Sequence, residues 1–197
     1  EPGCDRESQI RRMRCTLSAA VKAGVAVQIR TLPAASDVQQ VMMDLETILE
    51  QTVQAFPSIQ IHLSCWSSGS AVDMLKWLNT YPLNVWIGMD ATVSFGKAKN
   101  AHECAFDVPL ERLILETGLP SIIPASIANI VGREAFCHSG LIPVAAQAIA
   151  DKKAGSLGIT AETVARAASA NTLALYPKLG KHDMSIELLR HRYWSQE

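Results

Sequence analysis

The sequence has almost no net charge. Eighteen Lys and Arg stand against nineteen Asp and Glu, a formal balance of -1, so the overall positive field behind non-specific nucleic-acid binding is missing and any phosphate contact has to be local. It also lacks a long apolar run. The richest stretch, residues 119–131, is broken by Pro120 and Pro124 and falls short of the roughly 20 residues that span a bilayer, so no membrane span is expected. Five cysteines, Cys4, Cys15, Cys65, Cys104 and Cys137, form no paired short spacing. An odd, scattered set argues against a CxxC zinc site and a disulfide framework; a soluble protein of a reducing compartment, cytosol or organelle matrix, fits. Internal repeats, low-complexity tracts and linkers are absent, and no charged-then-apolar leader follows Glu1, which leaves the compartment open.

What is present is a core. With 48% apolar residues in a chain of 197 and four tryptophans, one globular domain is the leading expectation. Ser8 is a candidate cap for a first helix carrying Ile10, Met13, Leu17, Ala20 and Val21, which Gly24 can close. Residues 25–30 read as a strand, 36–55 as an amphipathic helix ended by Pro57, and 59–66 as a second strand. Ser70 is expected to cap a helix with Val72, Leu75 and Leu78 on its apolar face. Residues 83–88 and 112–116 read as further strands, with a weaker helix over 97–106 between them. An irregular segment covers 117–140, and helices follow near 141–152 and 160–176. Short strands alternating with helices over four cycles predict parallel β/α units, either half of an eightfold barrel or a small open sheet.

Several strand-end motifs carry a family resemblance. Glu1-Pro2-Gly3-Cys4-Asp5 is similar to the Glu-x-Gly-x-Asp of TatD-type metal-dependent deoxyribonucleases. Ala26-Val27-Gln28-Ile29-Arg30 resembles their Pro-Val-x-Ile-His strand, and Ser64-Cys65-Trp66-Ser67-Ser68-Gly69 their His-Cys-Phe-Ser-Gly strand end. The most specific match runs from Val108 through Leu110-Glu111-Arg112-Leu113 and Leu115-Glu116-Thr117-Gly118 to Pro120, similar to Pro-Leu-Asp-Arg-Leu-Leu-Leu-Glu-Thr-Asp-Ala-Pro. Ala170-Asn171-Thr172-Leu173 looks like the Asn-Thr-x-x-Leu-Phe helix that ends the family domain. The resemblance implies a TIM-barrel-like α/β domain over residues 1–176, its strands corresponding to strands five to eight of the barrel. A tail, 177–197, follows with spacing for a short amphipathic helix. The family's first-strand His-x-His-x-Asp motif occurs nowhere in the sequence.

Metal-assisted phosphodiester hydrolysis needs His and carboxylate ligands around one or two divalent ions. At the ligand-equivalent positions stand Glu1, Arg30, Ser64 and Gly118. An arginine is always protonated and repels a cation, a serine is a poor zinc ligand, and glycine has no side chain. No metal is therefore expected and no catalytic set is intact, with Glu1 a remnant; Mg or Zn would be implied only if an active site were rearranged or completed from elsewhere. Arg30 can be read as a phosphate or carboxylate clamp, or as a cation paired with Asp5 or Glu116, and the ion pair is favoured. Glu116 then has a structural salt bridge as its role. His138, in a loop after the last strand, is a substrate-loop candidate as readily as a plain loop residue. His62 is read as a core or hydrogen-bonded histidine, Cys65 and Cys137 as spectator thiols, and Trp66, Trp77 and Trp86 as core.

These readings converge on a catalytically inactive TatD-like domain kept as a structural or interaction subunit. Two rivals remain: an active TatD-related hydrolase, and a non-catalytic nucleic-acid or phosphate-binding module using Arg30, Lys97, Lys99 and Arg133. A half-barrel has two open strand edges, so the expected partners are other subunits or an N-terminal half. The tail, with Met184, Ile186, Leu188, Leu189, Tyr193 and Trp194, is expected to bind a partner; a helix folded back on its own domain is the competing reading.

Overall fold

The computed structural model describes residues 5–30, 38–66, 69–118, 122–131, 137–154 and 158–177. Four strands, β1 (Val27–Arg30), β2 (Ile61–Ser64), β3 (Val85–Met89) and β4 (Leu113–Leu115), form one parallel sheet in chain order. Helices α1 (Arg6–Ala23), α2 (Val38–Ala55), α3 (Ala71–Thr80) and α4 (Lys99–Asp107) precede the strands in turn, so each connection returns the chain to the same end of the sheet. Helices α5 (Ala125–Val131), α6 (Ile142–Lys153) and α7 (Ala161–Leu175) follow β4.

Alternation along the strands divides the sheet into two unlike faces. Val27, Ile61, Leu63, Val85, Ile87, Met89 and Leu113 point to the helices, meeting Leu17, Leu49, Met74, Trp77, Cys104 and Ile149 in the main core. The opposite face carries Gln28 beside His62 beside Trp86, and Arg30 beside Ser64 in the next row. Its apolar part is a small cluster of Trp86, Ile114 and Leu175, with Ala26 and Tyr176 packed against it. The end of α7 therefore covers the far end of this inner face. Arg112 lies over the Trp86 ring at 4.6 Å, within cation–π range.

The helix ends follow local chemistry, with one correction. The cap of α1 is Asp5, whose carboxylate accepts from the Ser8 amide at 2.8 Å; Ser8 lies inside the first turn and donates its own hydroxyl to Asp5. A carboxylate at this position also complements the helix dipole. Gly24, at φ 60, closes the helix as expected. Ser70 caps α3 through the Asp73 amide, but that helix buries Ala71, Met74, Trp77 and Leu78 and leaves Val72 77% exposed. Leu78 is buried and Leu75 packs against the core as expected, so Val72 alone departs from the expected face. The segment expected to be irregular, 117–140, contains α5, whose first amide donates to the Ser94 hydroxyl at 2.9 Å.

Three side chains tie loops to elements by donating to backbone carbonyls. Lys153 reaches from α6 to donate to the Phe106 and Val108 carbonyls at the end of α4, at 2.7 and 2.6 Å. Asn84 donates to Pro57 and Ile59, and Asn171 to Leu110 and Leu113. Among the described residues no helix is long and apolar enough to cross a membrane.

Candidate functional site at the strand ends

The carboxyl ends of the strands gather the polar side chains of the inner face. Glu116, just past β4, is the centre. Its Oε1 accepts from the Ser64 hydroxyl at 2.6 Å and from Gln28 Nε2 at 3.1 Å, and its Oε2 accepts from the Cys65 amide at 2.6 Å. Gln28 also donates to Ser64 Oγ at 3.0 Å. One carboxylate thereby joins β1, β2 and β4. Cys65, at φ 54, is the one non-glycine residue with positive φ among those described; a left-handed residue costs roughly 1–2 kcal/mol, offset here by the charge-assisted bond of its amide.

His62 lies on the same face, one residue pair deeper. Its Nδ1 is 2.8 Å from the Tyr176 hydroxyl and its Nε2 faces Glu116 Oε1 at 3.4 Å. His62 Nε2 is buried and makes no hydrogen bond, its approach to Glu116 being a 3.4 Å electrostatic contact. Burial holds the His62 pKa below its ordinary value, with Glu116 pulling the other way. Gly88 makes the approach of His62 and Glu116 feasible, because a Cβ there would lie 2.5 Å from Glu116 Oε2 and closer still to the imidazole.

The thiol of Cys65 is not activated. Burial first, then the charges of Glu116 and Asp90, push its pKa up to about 12, against the opposing influence of Ser64 and Arg30. Thiolate chemistry at neutral pH is suppressed at such a position. Cys137 is also raised, chiefly by burial, and its thiol donates to the Thr117 carbonyl at 3.3 Å. None of the described cysteines Cys15, Cys65, Cys104 and Cys137 is in a disulfide.

The residues singled out in the sequence are placed as follows. Arg30 and Ser64 are register partners on neighbouring strands. The expected pairing of Arg30 with Glu116 or Asp5 does not form: Glu116 is held by Ser64, Cys65 and Gln28, and Asp5 caps α1. Arg30 is exposed instead. Gly118 has φ 69, and a Cβ there would lie 2.8 Å from Ile122 Cβ and 3.1 Å from Asp90 Oδ2. Asp90, buried after β3, also accepts from the Thr92 amide at 2.9 Å. His138 is exposed and caps the turn Ser139–Leu141, its Nδ1 accepting from the Gly140 amide at 3.1 Å. Glu1, Arg133 and the tail after Pro177 lie outside the described residues.

Sequence reasoning missed Gln28, Asp90 and Tyr176. Gln28 and Arg30 share a face by alternation, which was a readable signal for Gln28. Nothing local marks Tyr176, which reaches His62 across 114 positions. Among the described residues no group of three or more His, Cys, Asp or Glu side chains is arranged to hold a metal ion.

Comparison with known proteins fits this geometry. A model of the family described as TatD related DNase matches residues 2–177. The chain is 29% identical over 117 residues to the Homo sapiens 3'-5' RNA nuclease TATDN2, an alignment covering 59% of this chain and 15% of that protein. The crystal structure of YJJV, a TatD homolog from Escherichia coli K12, matches with a TM-score of 0.63 at 17% identity, over 89% of this chain and 60% of that one. The fold is thus α/β and TIM-barrel-like, and the chain spans less than two thirds of the length of either relative.

Proposed function

Given that this chain belongs to the TatD-related DNase family, we propose that it is a catalytically inactive member serving as a structural or interaction subunit of a larger assembly. One observation carries the reading. Among the described residues, the ligand-equivalent Ser64 and the adjacent strand-end carboxylate Glu116 are bonded to each other at 2.6 Å. Beside them stand the fixed cation Arg30 and the side-chain-free Gly118. Such a donor set does not fit a divalent ion, which asks for several His and carboxylate ligands free to coordinate. The network instead cross-links three strands and fixes the inner face.

On this reading the sheet is the second half of the family's barrel. An N-terminal half or other subunits cover the inner face and the free edge of β1, since parallel strands are normally buried on both sides. The test is incubation of the purified chain with single- and double-stranded DNA and RNA in magnesium, manganese or zinc. No turnover is expected. Cleavage abolished by chelation and by Glu116→Ala would overturn the proposal.

A second reading, an active hydrolase with a rearranged site, is favoured by one feature. Asp90 Oδ2 lies 3.1 Å from where a side chain at position 118 would begin, so a carboxylate just past β3 stands beside that place. Loss of metal-dependent cleavage on Asp90→Asn would identify this case.

A further inference from the structure

The inner face carries a cation without an acceptor. Arg30 ends β1 on that face, is exposed, and makes no hydrogen bond or ion pair with any described residue. The carboxylates at this end of the sheet are engaged elsewhere: Glu116 accepts from Ser64, Cys65 and Gln28, and Asp90 accepts from the Thr92 amide. A guanidinium stays protonated at any accessible pH. Whatever covers it has to bring an acceptor or leave a buried charge unpaired.

The same strand is open along its outer side. Val27 donates its amide to the Gln60 carbonyl at 2.9 Å, so the main-chain groups of Val27 and Ile29 face β2, and those of Gln28 and Arg30 face away from it. No described strand lies on that side, since β1 is the first of the order β1-β2-β3-β4. β1 itself, Val27-Gln28-Ile29-Arg30, contains no acid, so a second copy presenting this edge offers Arg30 no acceptor. A row of phosphates fits the place poorly as well. The charges acting on the Cys65 thiol at these strand ends are Glu116 and Asp90 against Arg30 alone, and the whole chain has a balance of -1. One carboxylate satisfies Arg30, whereas a polyanion meets two fixed anions and no wider positive field.

Resting on the reading that this face is covered within an assembly, we propose that the covering subunit is a different protein, which lays an extended segment along β1 and sets an Asp or Glu carboxylate on the inner face against Arg30. The segment takes the outward main-chain groups of Gln28 and Arg30 as an added strand would. Its carboxylate takes the guanidinium in a bidentate pair, which fixes the register of the segment on β1.

The experiment uses the assembly isolated through the tagged 197-residue chain, as wild type and with Arg30→Lys or Arg30→Glu. A carbodiimide joins an amine to a carboxylate in contact with it and takes up the water released, so Arg30→Lys turns the pair into an amide bond whose acid partner is read by mass spectrometry. The expected cross-link runs from position 30 to an Asp or Glu of a different protein. Arg30→Glu weakens the purified complex by about tenfold or more, and changing the identified acid to Lys restores it. The Tm of the isolated Arg30→Glu chain stays at the wild-type value, because Arg30 has no partner in the fold to lose. Three results overturn the proposal: a cross-link to a carboxylate of the same chain or of a second copy, an assembly that nuclease treatment dissolves, and an affinity unchanged by Arg30→Glu. An assembly that persists with Arg30→Glu rejects this inference alone and leaves the subunit reading standing. A chain recovered only as a free monomer rejects both.

Discussion

Truncating Glu116 tests whether the strand-end carboxylate is a structural cross-link or a metal ligand. Glu116→Ala removes the acceptor for the Ser64 hydroxyl and the Cys65 amide, both at 2.6 Å. The Glu116 side chain is 12% exposed and Ser64 is buried, so water replaces little of what is lost. Each orphaned donor costs about 1–3 kcal/mol, or about 2–6 kcal/mol for the pair. Gln28 is exposed and resolvates, so it adds little. At about 2–4 °C per kcal/mol for a chain of this size, the middle of that range lowers Tm by about 8–16 °C. Glu116→Gln keeps a carbonyl for Cys65 and offers an amide to Ser64 Oγ, so its loss is about 1 kcal/mol, the charge assistance alone. Thermal unfolding followed by circular dichroism reads all three proteins, with and without divalent metal. An ion bound at about 100 times its Kd would add about 2.7 kcal/mol to the wild type; no shift is expected. The reasoning fails if Glu116→Ala unfolds at the wild-type temperature. It fails equally if magnesium, manganese or zinc raises the wild-type Tm and the substitution removes that rise.

Gly118→Asp should destabilise by about 1–2 kcal/mol from its left-handed backbone, with further loss from Ile122 and the like charge of Asp90 at 3.1 Å; a denaturant melt showing no loss would contradict the geometry. Combining it with Arg30→His and Ser64→His should therefore give no nuclease turnover, read by cleavage of labelled DNA, since Ser64→His also removes the hydroxyl bonded to Glu116. His62 makes stability pH-dependent. Its folded pKa lies below the ordinary value of 6.5, so the unfolded chain binds the proton first, and stability present above pH 6.5 falls as pH drops through the folded pKa. His62→Gln should flatten this slope in melts from pH 8 downward (a range of about two units below it), and an unchanged slope would assign it elsewhere. Lys153→Ala, which orphans the Phe106 and Val108 carbonyls, should cost about 2–4 kcal/mol by denaturant unfolding; a loss under about 0.5 kcal/mol would show that water replaces the ammonium.

The sequence by itself determined the alternation of helices and parallel strands, because apolar periodicity and caps are local properties. Gly24 and Ser70 end and begin helices where their own backbone and side-chain chemistry dictates. It also determined what chemistry Arg30, Ser64 and Gly118 can offer, since their donor properties are fixed in any fold. Tertiary structure alone decided the partners. Arg30 and Glu116 have opposite charge and lie at the same end of the sheet, yet the carboxylate turns to Ser64 and the Cys65 amide, which are held at hydrogen-bond distance by the register of β2. Tyr176 meets His62, and Asp90 stands beside Gly118, through loops whose lengths and packing no local pattern encodes. Even the cap of α1 fell to Asp5 and not to Ser8, three residues on. Propensity fixes which segments form, whereas hydrogen-bond geometry across a register, set only when the sheet assembles, chooses which polar groups satisfy one another.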